Sequence, residues 1–441
     1  MPPLISWSAL SSARVGIWGL GVEGSASLRR LRSMGNEPVL VDDRPPPAPA
    51  EDLEILDTRR GGLDALLSCD VVIKSPGISR YRPEIERLEQ SGVQVRGGLG
   101  LWLEDAPLER VTCITGTKGK STTTAIIGHL LTRLGYDARL GGNIGQPPWA
   151  EIPLTQPDFW VIETSSYQVP DLTNGPPVVA VTSLSPDHLD WHGSLERYYT
   201  DKLSLCTKSG VRTSIADGSN PVLRERAESL GHVQWVDAHD TRFDGPWIEH
   251  LGLPGGHNAR NASIGRAVLL ALGVDEARDD ARMAAAADGF AGLPSRCHTI
   301  GHIGPVEFVD DSLSTNVLPA QAALEAYGDR AVALLVGGHD RGLDYRPLGL
   351  AVARRTVPTL VVTMPDNGPR IGHAIREIVG TTVEVRNAAD LRDAVATAWG
   401  WAREGGVVLL SPAAPSFGRF ADYRDRARAF SEAAAECGTL T

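Results

Sequence analysis

The chain is short of cysteine, of net positive charge and of long apolar runs, and each shortage excludes something. Its 441 residues include five cysteines, Cys69, Cys113, Cys206, Cys297 and Cys437. They are scattered, odd in number and never spaced as Cys-x-x-Cys. They therefore read as buried thiols in a reducing cytoplasm and not as a disulfide framework. Lys and Arg total 43 against 54 Asp and Glu, a net charge of −11. That balance argues against a general nucleic-acid surface, whose affinity comes from neutralising phosphates. It leaves room for a local basic pocket that takes an anionic substrate. No apolar run is long enough to cross a bilayer. Met1 to Trp7 has no basic segment followed by an apolar core, so no secretion signal is expected there. Neither internal repeats nor sustained low-complexity segments occur. What is present is an ordinary globular composition, 42% hydrophobic and 22% charged. The length exceeds one core, and two or three domains are expected.

One stretch organises the rest. Val111-Thr112-Cys113-Ile114-Thr115 is a β-branched run. Gly116-Thr117-Lys118-Gly119-Lys120-Ser121-Thr122 follows, then the apolar Ala125 to Leu131. The order predicts strand, phosphate loop and helix. Backbone N–H groups of such a turn, with the helix N-terminus, attract phosphate oxygens. Lys120 would reach the outer phosphates, and the Ser121 hydroxyl would bind Mg²⁺. The full P-loop pattern wants glycine where Ile114 stands, so this is a shortened form.

A second nucleotide signature precedes it. Ala13 to Trp18 predicts a strand, Gly19-Leu20-Gly21-Val22-Glu23-Gly24 a turn, Ser25 to Met34 a helix and Val39-Leu40-Val41 a second strand ending at Asp42. This is the G-x-G-x-x-G pattern in its required context, with an acidic residue downstream. The glycines let a diphosphate approach the backbone, and Asp42 can accept a hydrogen bond from a ribose or base. By itself the pattern does not separate NAD, FAD and UDP-sugars. Asp70 to Lys74 is another strand, ending in the small turn Ser75-Pro76-Gly77. Val93-Gln94-Val95 closes the region, and a boundary is expected between Trp102 and Arg110.

Beyond the loop helix, Ala138 to Gly145, including Asn143, reads as a glycine-rich turn. Phe159 to Ile162 is a buried-type strand ending in Glu163, and a carboxylate there suits Mg²⁺. Val178 to Leu184 leads into Asp187-His188-Leu189-Asp190-Trp191-His192. Zinc lacks a second Cys/His group at structural spacing, so Mg²⁺ helped by one imidazole, or a general base, fits the cluster better. For each histidine a turn role competes with a functional one. Tyr198 to Leu205 is helical, and periodicity alone makes Lys202 structural. Asn258 and Asn261 lie three apart in a first helical turn, where they either read an adenine edge or cap the helix. Gly292-Leu293-Pro294 is a hinge followed by Arg296. Val306 to Val309 ends in Asp310-Asp311-Ser312, with Thr315 just beyond. Strands at 330–336, 359–363 and 406–410 then alternate with helices, which predicts a third α/β domain with a mostly parallel sheet.

In this order and spacing the motifs resemble the Mur ligase family, and within it the glutamate-adding enzymes. The resemblance rests on Gly19 to Gly24, Ser75-Pro76-Gly77, Gly116 to Thr122, Asn143-Ile144-Gly145, Glu163, Asp187-His188, Lys202, Asn258 with Asn261, Arg296, Asp311 with Thr315, and Ser411-Pro412-Ala413. It implies an α/β protein of three domains. These are a Rossmann-like UDP-substrate domain (1–108), a central P-loop ATPase-like domain (109–294) and a C-terminal Rossmann-like amino-acid domain (295–441). It implies an ATP- and Mg²⁺-dependent amide ligase acting on UDP-N-acetylmuramoyl-L-alanine through an acyl phosphate. By the same resemblance Gly19, Gly21, Val22, Glu23, Gly24, Asp42, Ser75, Pro76, Gly77 and Asn143 bind the UDP substrate. Gly116 to Thr122, Asn258, Asn261, Arg296 and Asp311 bind ATP. Ser121 and Glu163 hold one Mg²⁺, while His188 and a carbamylated Lys202 hold a second. Lys120, Glu163, His188 and Lys202 are then the catalytic group. Closure of the last domain about Gly292-Leu293-Pro294 is expected to keep water from the acyl phosphate.

Several positions depart from the pattern of many relatives. Lys118 stands where asparagine is frequent, and Leu313 where D-glutamate-adding enzymes often carry lysine. The last loop, Ser416-Phe417-Gly418-Arg419-Phe420-Ala421-Asp422-Tyr423, lacks their acidic residue and Lys-Asn pair. These features resemble the branch that adds L-glutamate, with D-glutamate as the alternative. Thr315, Arg341, Ser416, Phe417 and Tyr423 are the candidates for gripping the amino acid. An NAD-dependent oxidoreductase would leave the phosphate loop, Glu163 and His188 unexplained. A non-catalytic nucleotide-binding regulator would not need Lys120, Glu163, His188 and Lys202. No nucleic acid, no membrane insertion, a monomeric state and a cytoplasmic location complete the expectations.

Overall fold

The computed structural model describes residues 5–45, 53–144, 146–150, 156–187, 189–253, 255–340, 342–402, 405–416 and 418–441. His188, Arg341, Phe417 and Gly145, all singled out above, lie outside the described residues. The chain divides into two compact units, Met1–Leu251 with Ala259–Phe290, and Gly252–Asn258 with Ala291–Thr441.

The first unit holds two sheets. The first contains β1 (Val15–Trp18), β2 (Val39–Asp42), β3 (Ile55–Asp57), β4 (Val71–Lys74) and β5 (Gln94–Gly97), in the order β3-β2-β1-β4-β5. All its pairings are parallel, with Ile17 opposite both Leu40 and Ile73. The second contains β6 (Val111–Thr115), β7 (Ala138–Gly142), β8 (Phe159–Glu163), β9 (Val178–Val181), β10 (Thr213–Asp217) and β11 (Val233–Val236), in the order β11-β10-β9-β6-β8-β7. It too is wholly parallel. The central strands β1, β4, β6 and β9 are buried at every position. Valine and isoleucine dominate them because a parallel sheet has both faces covered. In each sheet the strand order reverses beside the first strand, β1 or β6. An open α/β sheet forms its ligand crevice at the carboxyl ends flanking that reversal.

The two sheets share one core. The helix Gly98–Asp105 buries Gly98, Leu99, Gly100, Leu101, Trp102 and Leu103. Trp102 meets Trp160 edge-on at 5.4 Å, and Trp7 meets Trp149 at 6.0 Å. A Cβ on Gly98 would lie 2.4 Å from Trp149, so only glycine lets the tryptophan approach this closely.

The second unit carries one sheet. Its strands are β12 (His298–Ile303), β13 (Val306–Asp310), β14 (Val332–Gly338), β15 (Thr359–Asp366), β16 (Glu384–Asn387) and β17 (Val407–Leu410), in the order β12-β13-β17-β14-β15-β16. Five strands are parallel, but β12 pairs antiparallel with β13. The sheet is therefore mixed. Only Gly304 and Pro305 separate β12 from β13, and a two-residue connection can only return the chain antiparallel.

Candidate active site

In the first unit β6 ends at Thr115, and the chain turns at Gly116 (φ +138°) and Gly119 (φ +90°) into the helix Lys120–Arg133. The turn is held from outside. Thr117 N donates to Ser183 O (2.8 Å), Lys118 N donates to Ser183 Oγ (2.8 Å), and Thr182 Oγ1 donates to Lys118 O (2.5 Å). Thr117 Oγ1 lies 2.9 Å from Tyr198 Oη. A Cβ on Gly116 would sit 2.2 Å from Thr182 Oγ1, and one on Gly119 would sit 2.5 Å from Asn261 Oδ1. Both glycines are thus demanded by φ and by space together. Asn261, predicted at the nucleotide, is buried against this turn. Ser121 is buried at the helix start, Thr122 is half-buried, and Lys120 Nζ donates to Thr117 O (3.2 Å). Lys118 Nζ pairs with Asp187 Oδ2 at 3.0 Å, tying the turn to the segment that leads to His188.

Glu163 ends β8 opposite Ile114 of β6 and is 1% exposed. Its Oε1 accepts from Asn143 Nδ2 (2.9 Å), while Oε2 is buried without a hydrogen-bond partner. A buried carboxylate oxygen left unsatisfied is costly unless a cation meets it. The Mg²⁺ expected here fits that donor, since a hard cation prefers oxygen. Among the described residues no group of three or more His, Cys, Asp or Glu side chains gathers to hold a metal. Mg²⁺ usually takes few protein ligands beside phosphate oxygens and water. Asn143 stands beside Glu163 and not in the first sheet.

Lys202 lies in the helix Leu195–Leu203, which Ser194 caps by accepting from Arg197 N (3.2 Å). Its side chain is fully buried, and Nζ donates to Gly116 O (2.9 Å). Burial, followed by the neighbouring Lys120, pushes its pKa well below the ordinary lysine value. A lysine held toward its neutral amine is nucleophilic. Helical periodicity could not show this, because the cause is tertiary burial.

The first sheet presents the other predicted turn. Gly19 has φ +90°, and a Cβ on Gly24 would strike Gly19 O at 1.9 Å. Ser75 Oγ donates to Gly19 O (2.6 Å), Asp42 Oδ2 accepts from Leu20 N (2.8 Å), and Val22 is exposed. Gly19, Gly21, Gly24, Asp42, Ser75, Pro76 and Gly77 thus converge at the carboxyl ends of β1, β2 and β4. Glu23 accepts from Gln168 Nε2 (2.6 Å), and burial raises its pKa to about 7.

In the second unit Asn258 is buried. Asp311 follows β13 and accepts from Ser411 Oγ (2.6 Å) and Cys297 N (3.2 Å). Burial lifts its pKa to about 7, with Arg296 working in the opposite direction. Ser295 (φ 60°) and Cys297 (φ 46°) flank Arg296 in the left-handed region, a strain that side-chain-bearing residues rarely carry. Ser416 lines a cavity of about 290 Å³ with Gly337, Gly338, Asp366, Arg419 and Arg426. Thr315 is half-buried after the β13 turn, and Tyr423 opens the helix Tyr423–Cys437 behind its Asp422 cap.

Arg426 escaped the sequence reading. Its guanidinium is buried and donates to Ala414 O (3.0 Å) and Ser312 O (2.8 Å), joining the two predicted loops. One arginine among several in a helix gives no signal of this. His192 was seen only as part of a polar cluster. It is fully buried, with Nδ1 2.6 Å from Asp201 Oδ2 and Nε2 3.1 Å from Ser166 Oγ.

Comparison with known proteins gives this arrangement a family. The model of the Mur ligase MurD-like N-terminal domain matches residues 13–97, that of the Mur ligase middle domain 114–239, and that of the Mur ligase glutamate ligase domain 295–414. A UDP-N-acetylmuramoyl-L-alanine--L-glutamate ligase of a Micromonospora species is 40% identical, over 97% of each chain. One of the same name from Xanthomonas euvesicatoria is 38% identical, over 97% of this chain and 96% of its own. Among solved structures, a MurF ligase from Thermotoga maritima in complex with ADP superposes with a TM-score of 0.55 at 15% identity, covering 97% of this chain and 96% of its own. That likeness speaks for the fold. Matched by three successive domain models and by relatives aligned over nearly its whole length, the chain belongs to the Mur ligase family.

Proposed function

We propose that this chain is an ATP-dependent ligase that joins L-glutamate to UDP-N-acetylmuramoyl-L-alanine during the synthesis of peptidoglycan precursors. Relatives named for that reaction support the choice of L-glutamate over D-glutamate. The observation that carries the chemistry is the grouping at the Gly116 turn. A glycine-built phosphate cradle, a buried carboxylate oxygen without a partner on Glu163, and the buried amine of Lys202 come together there.

The division of labour follows the chemistry. Residues 1–108 would hold the UDP moiety at Gly19, Gly21, Val22, Glu23, Gly24, Asp42 and Ser75 to Gly77, with Asn143 reaching from the central sheet. Residues 109–294 would hold ATP at Gly116 to Thr122, with Asn258, Asn261, Arg296 and Asp311 completing its surroundings. Residues 295–441 would supply Thr315, Arg341, Ser416, Phe417 and Tyr423 to the amino acid. Ser121 and Glu163 would hold one Mg²⁺, and His188 with Lys202 a second. The neutral amine of Lys202 can add to carbon dioxide, forming an N–C bond and releasing a proton, which gives the oxygen ligands a hard metal prefers. When bound, Mg²⁺ would offset charge on the transferring phosphoryl group.

A carboxylate is a poor acyl electrophile. Taking the γ-phosphoryl group of ATP makes it an acyl phosphate, the amine of glutamate then attacks, and phosphate leaves. Lys120 would stabilise charge on the outer phosphates throughout. A monomeric, cytoplasmic enzyme is part of this proposal. No helix among the described residues is long and apolar enough to cross a membrane. The test is phosphate release from ATP, Mg²⁺ and UDP-N-acetylmuramoyl-L-alanine with L- or D-glutamate. Release with L-glutamate alone is expected. Release only with D-glutamate overturns the stereochemical reading, and no release with either overturns the ligase reading.

A further inference from the structure

Trp191 lies in the short helix Leu189–His192, where three parts of the first unit meet. Its Nε1 donates to Pro76 O (3.1 Å), and its own carbonyl accepts from Ser79 Oγ (3.0 Å). Its ring stacks on Tyr167 at 4.8 Å and meets Tyr81 edge-on at 5.9 Å. Tyr81 Oη donates to Asp201 Oδ1 (2.5 Å), and Asp201 Oδ2 lies 2.6 Å from His192 Nδ1. Asp201 immediately precedes Lys202, and Tyr167 and Ser166 belong to the segment leaving Glu163. One tryptophan thus touches the turn after β4, the segment after β8 and, through Tyr81 and Asp201, the lysine helix.

The bond to Pro76 O matters beyond its own strength. A trans peptide is planar, so its carbonyl and its N–H point in opposite directions. Holding Pro76 O toward Trp191 therefore aims the Gly77 N–H away from it, and Gly77 is exposed, so an anion can reach that N–H. A ligand on Gly77 would in turn load the Trp191 contact, and the load falls on residues adjoining Glu163 and Lys202.

We propose that Trp191 is a positioning residue that couples diphosphate binding at Ser75–Gly77 to nucleotide binding at the Gly116 turn. The proposal rests on the assignment of those turns to the UDP substrate and to ATP. Coupling of this kind is reciprocal, each ligand tightening the other by the same factor, commonly about 5- to 150-fold.

The experiment measures dissociation constants of a non-hydrolysable ATP analogue and of UDP-N-acetylmuramoyl-L-alanine, each alone and with the other saturating. It uses the full chain with Mg²⁺, as wild type, Trp191→Phe and Ser79→Ala. Phenylalanine keeps an aromatic ring against Tyr167 but loses the N–H together with part of the indole, and Ser79→Ala removes the second bond without touching the ring, so an effect common to both variants reports the contact and not the ring size. The expected result is at least about 5-fold coupling in the wild type, reduced toward 1 in both variants, while the affinity of the ATP analogue alone changes less than about 2-fold. Unfolding midpoints within the wild-type range identify the effect as positioning; a general loosening that weakens the ATP analogue alone to the same degree overturns it. Coupling that survives in both variants, or no coupling in a wild type that binds both ligands, also overturns it and leaves the ligase reading intact. A wild type that binds no UDP substrate overturns the ligase reading and this proposal together.

Discussion

Lys202 and Glu23 show how burial changes the chemistry of single residues. Lys202 is one lysine among many by its spacing, yet its Nζ is enclosed and rests on Gly116 O. Lys202→Ala should lose more than about 100-fold in kcat, beyond the effect of losing an outer partner of a metal ligand. A short carboxylate in the buffer should restore part of it. Near-normal phosphate release in the variant would remove the carbamate role. Glu23 makes a pH prediction whose sign can be worked out. Its folded pKa is raised from 4.5 to about 7, chiefly by burial. The unfolded chain therefore loses this proton first, and native stability falls as pH rises from about 4.5 to about 7. The integrated effect is on the order of 3 kcal/mol. Glu23→Gln keeps an oxygen to accept from Gln168 and has no proton to lose. Urea unfolding of both proteins across that window should show the wild type losing stability relative to the variant as pH rises. A constant difference would contradict the assigned burial.

Among elements, glycine is decided by its surroundings. Gly98 and Gly400 both lie in helices, Gly98–Asp105 and Leu391–Ala402. A Cβ on Gly98 meets the enclosed Trp149 at 2.4 Å, whereas one on Gly400 meets nothing within 4 Å. Gly98→Ala should destabilise by about 1–3 kcal/mol through overpacking, and Gly400→Ala should stabilise by up to about 1 kcal/mol through helix propensity. Chemical denaturation reads both, and equal effects would show that packing at Trp149 is not the cause. The same logic explains which strands were legible. β1, β4, β6, β9, β14 and β17 are dominated by apolar and β-branched residues and are legible in the sequence. β3, β11, β12 and β16 carry no strand signal in the sequence, and the glycine-rich pattern of β7 predicts a turn. All five lie at sheet edges and are partly exposed. An edge strand needs only one apolar face and is recruited by its neighbour, so its own residues carry little signal.

At the scale of the whole molecule, the acidic balance of the chain contrasts with its local chemistry. Net charge is −11, yet Lys118, Lys120 and Lys202 gather at the Gly116 turn. Three lysines beside a carboxylate oxygen without a hydrogen-bond partner would suit a polyphosphate carrying its own divalent cation, which is the proposed role of this turn. Chelating Mg²⁺ with EDTA should bring phosphate release to background, and excess Mg²⁺ should restore it. Release that persists in EDTA would exclude the metal role of Glu163. The unit boundaries add a physical point. The first two sheets share a continuous core through Gly98–Asp105 and form one compact unit. Composition alone does not show that cohesion, because contacts such as Trp149 on Gly98 join residues far apart in the chain.

The amino-acid sequence by itself determined the glycine turns, the buried central strands and the order of motifs, because these depend on local conformation and on short-range pattern. It could not determine which polar side chains would be enclosed together. Only the tertiary structure decided that Glu163 keeps an oxygen without a hydrogen-bond partner, that Lys202 lies on the Gly116 turn, that His192 is locked between Asp201 and Ser166, and that Trp191 is bonded to the Ser75–Gly77 turn. Each of these depends on residues brought together by the sheets from distant parts of the chain, where burial and not sequence spacing sets the chemistry.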